Sequence, residues 1–486
     1  MRSSMRPLLV WLCCLGYLFV LVGSSSVRAQ AVGGNNHSIE ETTGTDVELE
    51  EDPILRVLRE RVDEHGQAVG IVAGIIRGIN RYVYAHGTLN RGTIRRVSSM
   101  TVFEIGQLSS LYTTAMLSLL VQRGDVNLTD PVSSYLPETI DMLTTPSGNP
   151  ILIEPLATHS SGLPRLPDSL ESADPNAPMQ GYSTDLKSGF LGEYENAQRE
   201  LRGTSSYFDE EPSEEDSLKI EERYEYSDLG MGLLGHILER AVGLSYDDLL
   251  RELLRYPIKL ANTAGVPTLA MKTYAATGHD DVGRPMPSWS NDTLLGGTGL
   301  RSNLLDMMAL VSANMSIIYA LPEDFTEDDS TRYHMSFDEL IVPRKPTGEV
   351  GIETALGWKV RKDDRGRQIH WLTGQTNGFY AFAAFLKDWK KGVVVLSNSS
   401  ASLDDIGFHL LSPRNPINPP PKKEFRMTSA EYEAFTGTYE FSSEFTVVIT
   451  HSGGKLYGQA VDLPKNELVL EGSGEFYLAE EDARIT

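Results

Sequence analysis

The chain has 486 residues, with Lys+Arg 43 against Asp+Glu 67, a formal net charge of −24 and a pI near 4.9. That balance excludes a nucleic-acid binder, whose phosphate ligand needs clustered cations. A composition 40% hydrophobic and 23% charged excludes global disorder. The only cysteines are Cys13 and Cys14, so neither a disulfide framework nor a cysteine zinc site is possible beyond them.

In chain order, Arg2 and Arg6 precede an apolar run from Leu8 to Val22. Small residues at Val27 and Ala29 then predict a signal peptide over 1–29, cleaved before Gln30. A retained membrane anchor is the alternative, since the run is marginally long enough to span a bilayer. Cleavage removes both cysteines, three arginines and no acid, which takes the mature chain to −27. Residues 30–52 hold seven acids (Glu40, Glu41, Asp46, Glu48, Glu50, Glu51, Asp52) and no Lys or Arg, the composition of a disordered leader. From Pro53 the pattern is globular. Ile54, Leu55, Leu58 and Val62 have helical spacing, and Val69 to Ile76 reads as a buried strand with Arg81 to His86 as its hairpin partner. Residues 168–219 are rich in Ser, Asp, Glu and Gly and read as a long surface insertion. The globular part, 53–412, ends in a Pro-rich linker, 413–423. Residues 424–486 show short alternating runs, including Thr446 to Thr450, Lys455 to Tyr457 and Glu467 to Leu470, which predict a small all-β domain.

Several phrases in fixed order resemble the serine β-lactamase and penicillin-binding-protein family, in its class C, peptidase S12-type branch. Phe103-Glu104-Ile105-Gly106 is similar to the lead into the nucleophile helix, and Gly124 to Val132 to the stretch after it. Leu156 to Pro164 (LATHSSGLP), Tyr226-Ser227-Asp228, Gly296 to Ser302 and Val393 to Asn398 match later landmarks. The resemblance runs from Pro53 to Ser412 and implies an α/β (α+β) fold, an antiparallel sheet flanked by helices.

The family's chemistry uses a Ser-x-x-Lys pair whose spacing puts both side chains on one helix face. Counting from Phe103 places that pair at Gln107 and Ser110, an amide and a hydroxyl. Tyr226 is retained, but the Asn of Tyr-x-Asn is Asp228, and the third motif reads Leu372-Thr373-Gly374, aliphatic at the position of the cation or imidazole. Ser109 lies about 200° round the helix from position 107. The other Ser/Thr-x-x-Lys matches, Thr184 to Lys187 and Ser452 to Lys455, fall in the insertion and the β domain and read as chance. His370 precedes Leu372 by two residues, and His159 reads as a structural hydrogen-bonding residue. No metal or cofactor motif is present.

Sequons stand at Asn36, Asn127, Asn291, Asn314 and Asn398, each a glycan acceptor if exposed in a eukaryotic secreted chain. The acid clusters 40–52, 209–216 and 323–329 read as solvated faces that could also bind Ca²⁺ weakly or meet a mineral surface. The expectation is a secreted, extracellular, non-catalytic β-lactamase-like protein acting as a structural or binding component of an extracellular matrix, without nucleic-acid or membrane partners after signal cleavage. It is similar to the gigasin-type β-lactamase-like proteins of the mollusc shell matrix, which implies the organic matrix of a calcified layer. A secreted serine hydrolase with a relocated centre, and a ligand-binding pseudoenzyme that keeps the old cleft, stay open.

Overall fold

The computed structural model describes residues 52–137, 149–166, 223–289, 294–318, 321–418, 429–442, 445–452, 455–460, 465–472, 475–478 and 483–485. The signal segment, all of the leader but Asp52, the 168–219 insertion, Asn36, Asn291 and the Thr184–Lys187 pair lie outside them. In chain order the strands of the first part are β1 (Gly70–Arg77), β2 (Asn80–Gly87), β3 (Val102–Glu104), β4 (Gly278–His279), β5 (Pro285–Met286) and β6 (Arg301–Asn303). They continue with β7 (Lys345–Pro346), β8 (Ile352–Thr354), β9 (Lys359–Lys362), β10 (Gln368–Thr376), β11 (Phe379–Leu386) and β12 (Lys391–Ser397).

Eight of these form one antiparallel sheet in the order β2-β1-β12-β11-β10-β9-β8-β7. The expected β1–β2 hairpin is there, with Ala73 opposite Tyr84, and β1 pairs on its other side with β12, Ile71 opposite Ser397. Both faces of the sheet are covered, which is why β1, β11 and β12 read as nearly unbroken apolar runs. Ile71, Ala73 and Ile75 face one cluster with Leu58, Ile406 and Leu410 of the helices Pro53–Arg59 and Asp404–Leu411. Val72 and Ile76 face the larger core with the remaining helices.

Asp52 is not merely part of an acidic leader. Its Oδ1 accepts the Ile54 N–H at 2.8 Å, an N-cap with Pro53 at the first helical position. Arg61, just past this helix, is buried and paired with Asp405 of the helix Asp404–Leu411, and its Nη2 also donates to the Asn418 carbonyl at 2.7 Å. The start of the Pro-rich linker is thus fastened to these two helices.

The helix Ser109–Arg123 runs through the centre of the larger core, buried from Ser109 through Leu120 and closed by Gly124 at φ 80°. A helix buried on all sides must satisfy its polar residues locally. Thr114 Oγ1 donates to Ser110 O (3.0 Å), Ser118 Oγ to Ser336 O (2.9 Å), and Thr113 Oγ1 to Gly296 O (2.6 Å).

The C-terminal part is a six-stranded antiparallel meander of β13 (Gly437–Ser442), β14 (Phe445–Ser452), β15 (Lys455–Ala460), β16 (Asn466–Gly472), β17 (Glu475–Leu478) and β18 (Ala483–Ile485), in that order. Val447, Leu456 and Leu468 are its buried residues among those described. Ser452 and Lys455 face each other across the β14–β15 turn, and Lys455 pairs with Glu467 at 2.9 Å. That Ser-x-x-Lys match is a hairpin end.

Candidate functional site

The site is built where the chain enters the central helix. β3 leads into a tight turn, Gly106–Leu108, which presses against the end of β10. Two glycines permit the approach. Gly374 carries no Cβ because one there would stand 2.1 Å from the Ile105 carbonyl oxygen, and Gly106, at φ 50°, would place one 2.7 Å from Gln375 N. Across this contact the Gln107 side chain reaches the strand, and its Oε1 accepts the Gln375 backbone N–H at 2.6 Å. A strand N–H is thereby aimed at a carbonyl oxygen held on the residue that heads the helix.

Asp228 faces the same carboxamide from the helix Asp228–Val242. It is buried, and Tyr226 Oη donates to its Oδ1 at 2.7 Å while Arg165 Nε stands 3.7 Å from Oδ2. Burial pushes its carboxyl above the usual range, opposed by hydrogen bonding from Tyr226, the Arg165 cation and hydrogen bonding from Gln107. Burial first, then the adjacent carboxylate, raises the Tyr226 phenol well above its ordinary value. Tyr226 is therefore a hydrogen-bond donor to Asp228 here.

His159 sits in the left-handed region at φ 54°, with its ring 4.4 Å from that of Tyr226. Its Nδ1 accepts the Ser227 N–H at 3.2 Å, and burial drives its pKa down to about 3. Ser227 in turn caps the Asp228 helix, accepting Gly230 N–H at 2.8 Å and donating to Pro164 O at 2.6 Å.

On the other side of β10 lies Glu104, also buried. Its Oε1 accepts Ser288 Oγ–H (2.6 Å) and Trp289 N–H (2.8 Å), its Oε2 accepts Thr376 Oγ1–H (2.9 Å), and Arg301 Nη2 is 3.5 Å away.

The family model described as Beta-lactamase matches residues 55–409. The chain belongs to the β-lactamase family. A β-lactamase of Providencia stuartii is 24% identical over 377 residues, covering 72% of this chain and 86% of its own. The D-alanyl-D-alanine-carboxypeptidase/endopeptidase AmpH of Escherichia coli K12 is 26% identical over 349 residues, 68% of this chain and 80% of that one. The fold is that of the class C β-lactamase from Rhodobacter sphaeroides (TM-score 0.58, 22% identity, 75% of this chain and 99% of that one). An octameric penicillin-binding protein homologue from Pyrococcus abyssi is similar over 89% of this chain and 94% of its own (TM-score 0.59, 20% identity).

The singled-out residues of this β-lactamase-family chain divide by place. Gln107, Tyr226 and Asp228 come together. Ser110 heads the same helix, but its Oγ donates to Gln107 O at 2.7 Å. Ser109 Oγ donates to Gly106 O at 2.7 Å and accepts Leu300 N–H at 3.0 Å. Leu372 is buried in the larger core. His370 is buried and stacked on Phe385 at 4.8 Å, its Nε2 donating to Ile341 O at 3.1 Å. Burial lowers its pKa to about 4.

Two of the sequons are buried in the folded chain. Asn398 is 0% exposed, with Nδ2 donating to the carbonyls of Thr88, Leu89 and Thr277 at 3.1–3.2 Å. Asn314 is 1% exposed, its Nδ2 on Leu310 O and its Oδ1 on Trp358 Nε1. A glycan on either nitrogen has no room, whereas Asn127 is exposed. The acids at 323–329 also have a local explanation. Thr326 and Asp329 form a capping box, and Asp328 pairs with Arg332.

Sequence reasoning missed Arg165, Gln375 and the Glu104 network. In the sequence Glu104 stands within the phrase Phe103 to Gly106, and nothing in the spacing announces that Gln375 donates to Gln107.

Proposed function

We propose that this β-lactamase-family protein is non-catalytic and secreted, and serves as a structural or binding component of an extracellular matrix, such as the organic matrix of a calcified shell. The observation that carries the non-catalytic reading is the Gln107 carboxamide at the head of the central helix, lying against the Gln375 N–H where acyl transfer would require a hydroxyl and its base. An amide is no nucleophile. The neighbouring hydroxyls of Ser109 and Ser110 are held in backbone hydrogen bonds, and the Tyr226 phenol donates its hydrogen bond to Asp228.

The signal-like segment, the exposed sequon at Asn127 and the charge of −27 after cleavage support the extracellular part of the reading. Attraction to calcium or a mineral face would come from the acid clusters 40–52 and 209–216 and from the negative field of the whole chain. The relatives, among them a β-lactamase and a D-alanyl-D-alanine-carboxypeptidase/endopeptidase, favour a second reading, a serine hydrolase acting from a relocated centre.

Purified protein incubated with nitrocefin, p-nitrophenyl acetate and a penicillin decides between them. We expect no turnover and no mass increase; burst kinetics or an acylated peptide overturns the non-catalytic reading. For the matrix role, adsorption to calcium carbonate should exceed that of a globular control matched in charge and size, and should weaken with salt. Equal adsorption by the control removes the charge argument. The mature N-terminus should lie at or near Gln30, and retention of Cys13 and Cys14 would identify an anchor instead.

A further inference from the structure

We infer that a row of cations at one end of the eight-stranded sheet, Arg77, Lys391, Arg367 and Arg361, is a binding surface for a sulfated polysaccharide. The choice of an extracellular polymer rests on the binding role proposed above and gives that role a partner.

The row follows from strand register. The β1–β2, β11–β12 and β9–β10 turns lie at the same end of the sheet, because Arg77 stands opposite Lys391, Lys391 opposite Leu386, and Gln368 opposite Lys362. In a chain where Asp and Glu outnumber Lys and Arg by 67 to 43, residues 359–367 hold five cations and two acids. Residues 387–391 hold three cations and one acid. Alternation puts Arg77 and Lys391 on the same face as Ile75 and Val393, the face on which Leu58 and Ile406 pack farther along.

Like charges directly opposite on neighbouring strands repel. Among the described residues no carboxylate pairs with Arg77, Lys391 or Arg361; Arg77 lies over the Tyr82 ring at 5.6 Å and Arg361 over that of Phe408 at 4.6 Å. Burial first, then the cations of Arg77 and Arg367, lower the Lys391 pKa. Arg367 is paired with Asp363 at 2.5 Å, while Asp364 and Asp338 are engaged by Arg414 and Lys387. The row keeps an excess of positive charge that a protein rich in acids has not neutralised.

An anionic polymer laid across the strands relieves that repulsion. Strands about 5 Å apart set the spacing along the row, a step on the scale of one sugar ring, so sulfate esters carried ring by ring match it. Trp389, in the β11–β12 turn, is 61% exposed, with Arg367 5.0 Å from its ring, and offers a flat apolar surface to a sugar face. A nucleic acid is charged more densely, and beyond this short row its phosphates meet a surface of net negative charge. At 0.1 M salt the distant acids are screened over about 10 Å, so the row governs a ligand lying on it.

The test uses the full-length protein with a heparin oligosaccharide as probe. The same oligosaccharide stripped of sulfate and a single-stranded DNA of equal charge are the controls, and titration calorimetry at several salt concentrations reads binding. Heparin should bind wild type. Arg77→Ala with Lys391→Ala should weaken it about tenfold, and the plot of log affinity against log salt should become shallower by about one unit per cation removed. Trp389→Ala should weaken binding about threefold with the slope unchanged. Arg96→Ala with Lys272→Ala, which removes equal charge elsewhere, should change neither. The row variant loses a repulsion and should melt no lower than wild type at low salt, which separates a lost surface from a lost fold. Equal binding of the desulfated oligosaccharide, tighter binding of the DNA, or unchanged heparin affinity in the row variant overturns the inference. So do two outcomes that name another occupant. Heparin binding that appears only after deletion of residues 30–52 would put the acidic leader on the row, and self-association abolished by the row substitutions would put a second copy there. Adsorption to calcium carbonate draws on the acids and should not weaken in the row variant, so failure of the mineral reading and failure of this surface are read separately.

Discussion

Two buried carboxylates flank the end of β10, and they are built differently. Glu104 is enclosed: two hydroxyls, one backbone N–H and one guanidinium converge on it, and these come from β6, β10 and the 288–289 segment. Asp228 is held by one phenol, a guanidinium at 3.7 Å whose side chain is 64% exposed, and the carboxamide of Gln107. The first joins three stretches of backbone and serves the fold. The second lies on an open side and can be altered without loosening the sheet. Desolvation raises the pKa of both carboxyls, so a shifted carboxyl does not by itself mark a functional centre.

Removing the enclosed carboxylate should have the largest effect. Glu104→Ala strands the Arg301 cation and three donors, and should cost about 3–5 kcal/mol in urea denaturation. Glu104→Gln, which keeps part of the hydrogen bonding, should cost less. If Glu104→Ala is no worse than a surface substitution, the contrast between the two carboxylates collapses.

The contact between the two sides comes next. Gly374→Ala drives a methyl into the Ile105 carbonyl, where no side chain can yield, and should cost about 1–3 kcal/mol. It should also shift the Gln375 amide resonance, because strand and turn must part.

The Asp228 side is sharpened by pH. His159 has a folded pKa of about 3, below its unfolded value near 6.5. As pH falls the unfolded chain takes the proton first, so the stability from this residue is complete above pH 6.5 and is lost from there downward. The loss approaches about 1.4 kcal/mol per pH unit. His159→Asn tolerates the positive φ, supplies another acceptor for Ser227 and should flatten the stability profile between pH 6.5 and 4. A slope identical to wild type would remove His159 as its source.

The smallest effect belongs to Asp228→Asn, which recreates the family's Tyr-x-Asn. Because the folded carboxyl titrates above its unfolded value, its charge burdens the native state as pH rises past 3.8. The substitution should be neutral or stabilising by about 1 kcal/mol at pH 7, and less so at pH 4. Destabilisation of the size seen at Glu104 would show that both sites are structural.

Ordered phrases such as LATHSSGLP and GGTGLRS made the fold legible, because each encodes a backbone requirement that survives substitution of the chemistry beside it. The β1–β2 hairpin and the β domain were readable from alternation and glycine turns for the same reason. At the site, the replacements Gln107, Asp228 and Leu372 could be located by counting. Their contacts could not, since Gln107 meets Gln375 across 268 residues of chain, and Glu104 meets Thr376 across 272. Burial also changed the meaning of local motifs. Asn314 and Asn398 carry the sequon as clearly as Asn127 does, but tertiary structure uses their amides internally.

Asn398 sets a race within any compartment that attaches glycans. Its amide nitrogen is free to react only until β12 closes beside β1 and the three carbonyls of Thr88, Leu89 and Thr277 take it up. Closure joins segments more than 300 residues apart, so it is among the later events of folding. A chain modified before closure carries a sugar where three backbone acceptors must meet and cannot complete its sheet. The yield of folded chain in such a compartment then depends on the ratio of two rates, and replacing Ser400 with alanine removes the competitor while leaving the asparagine in place.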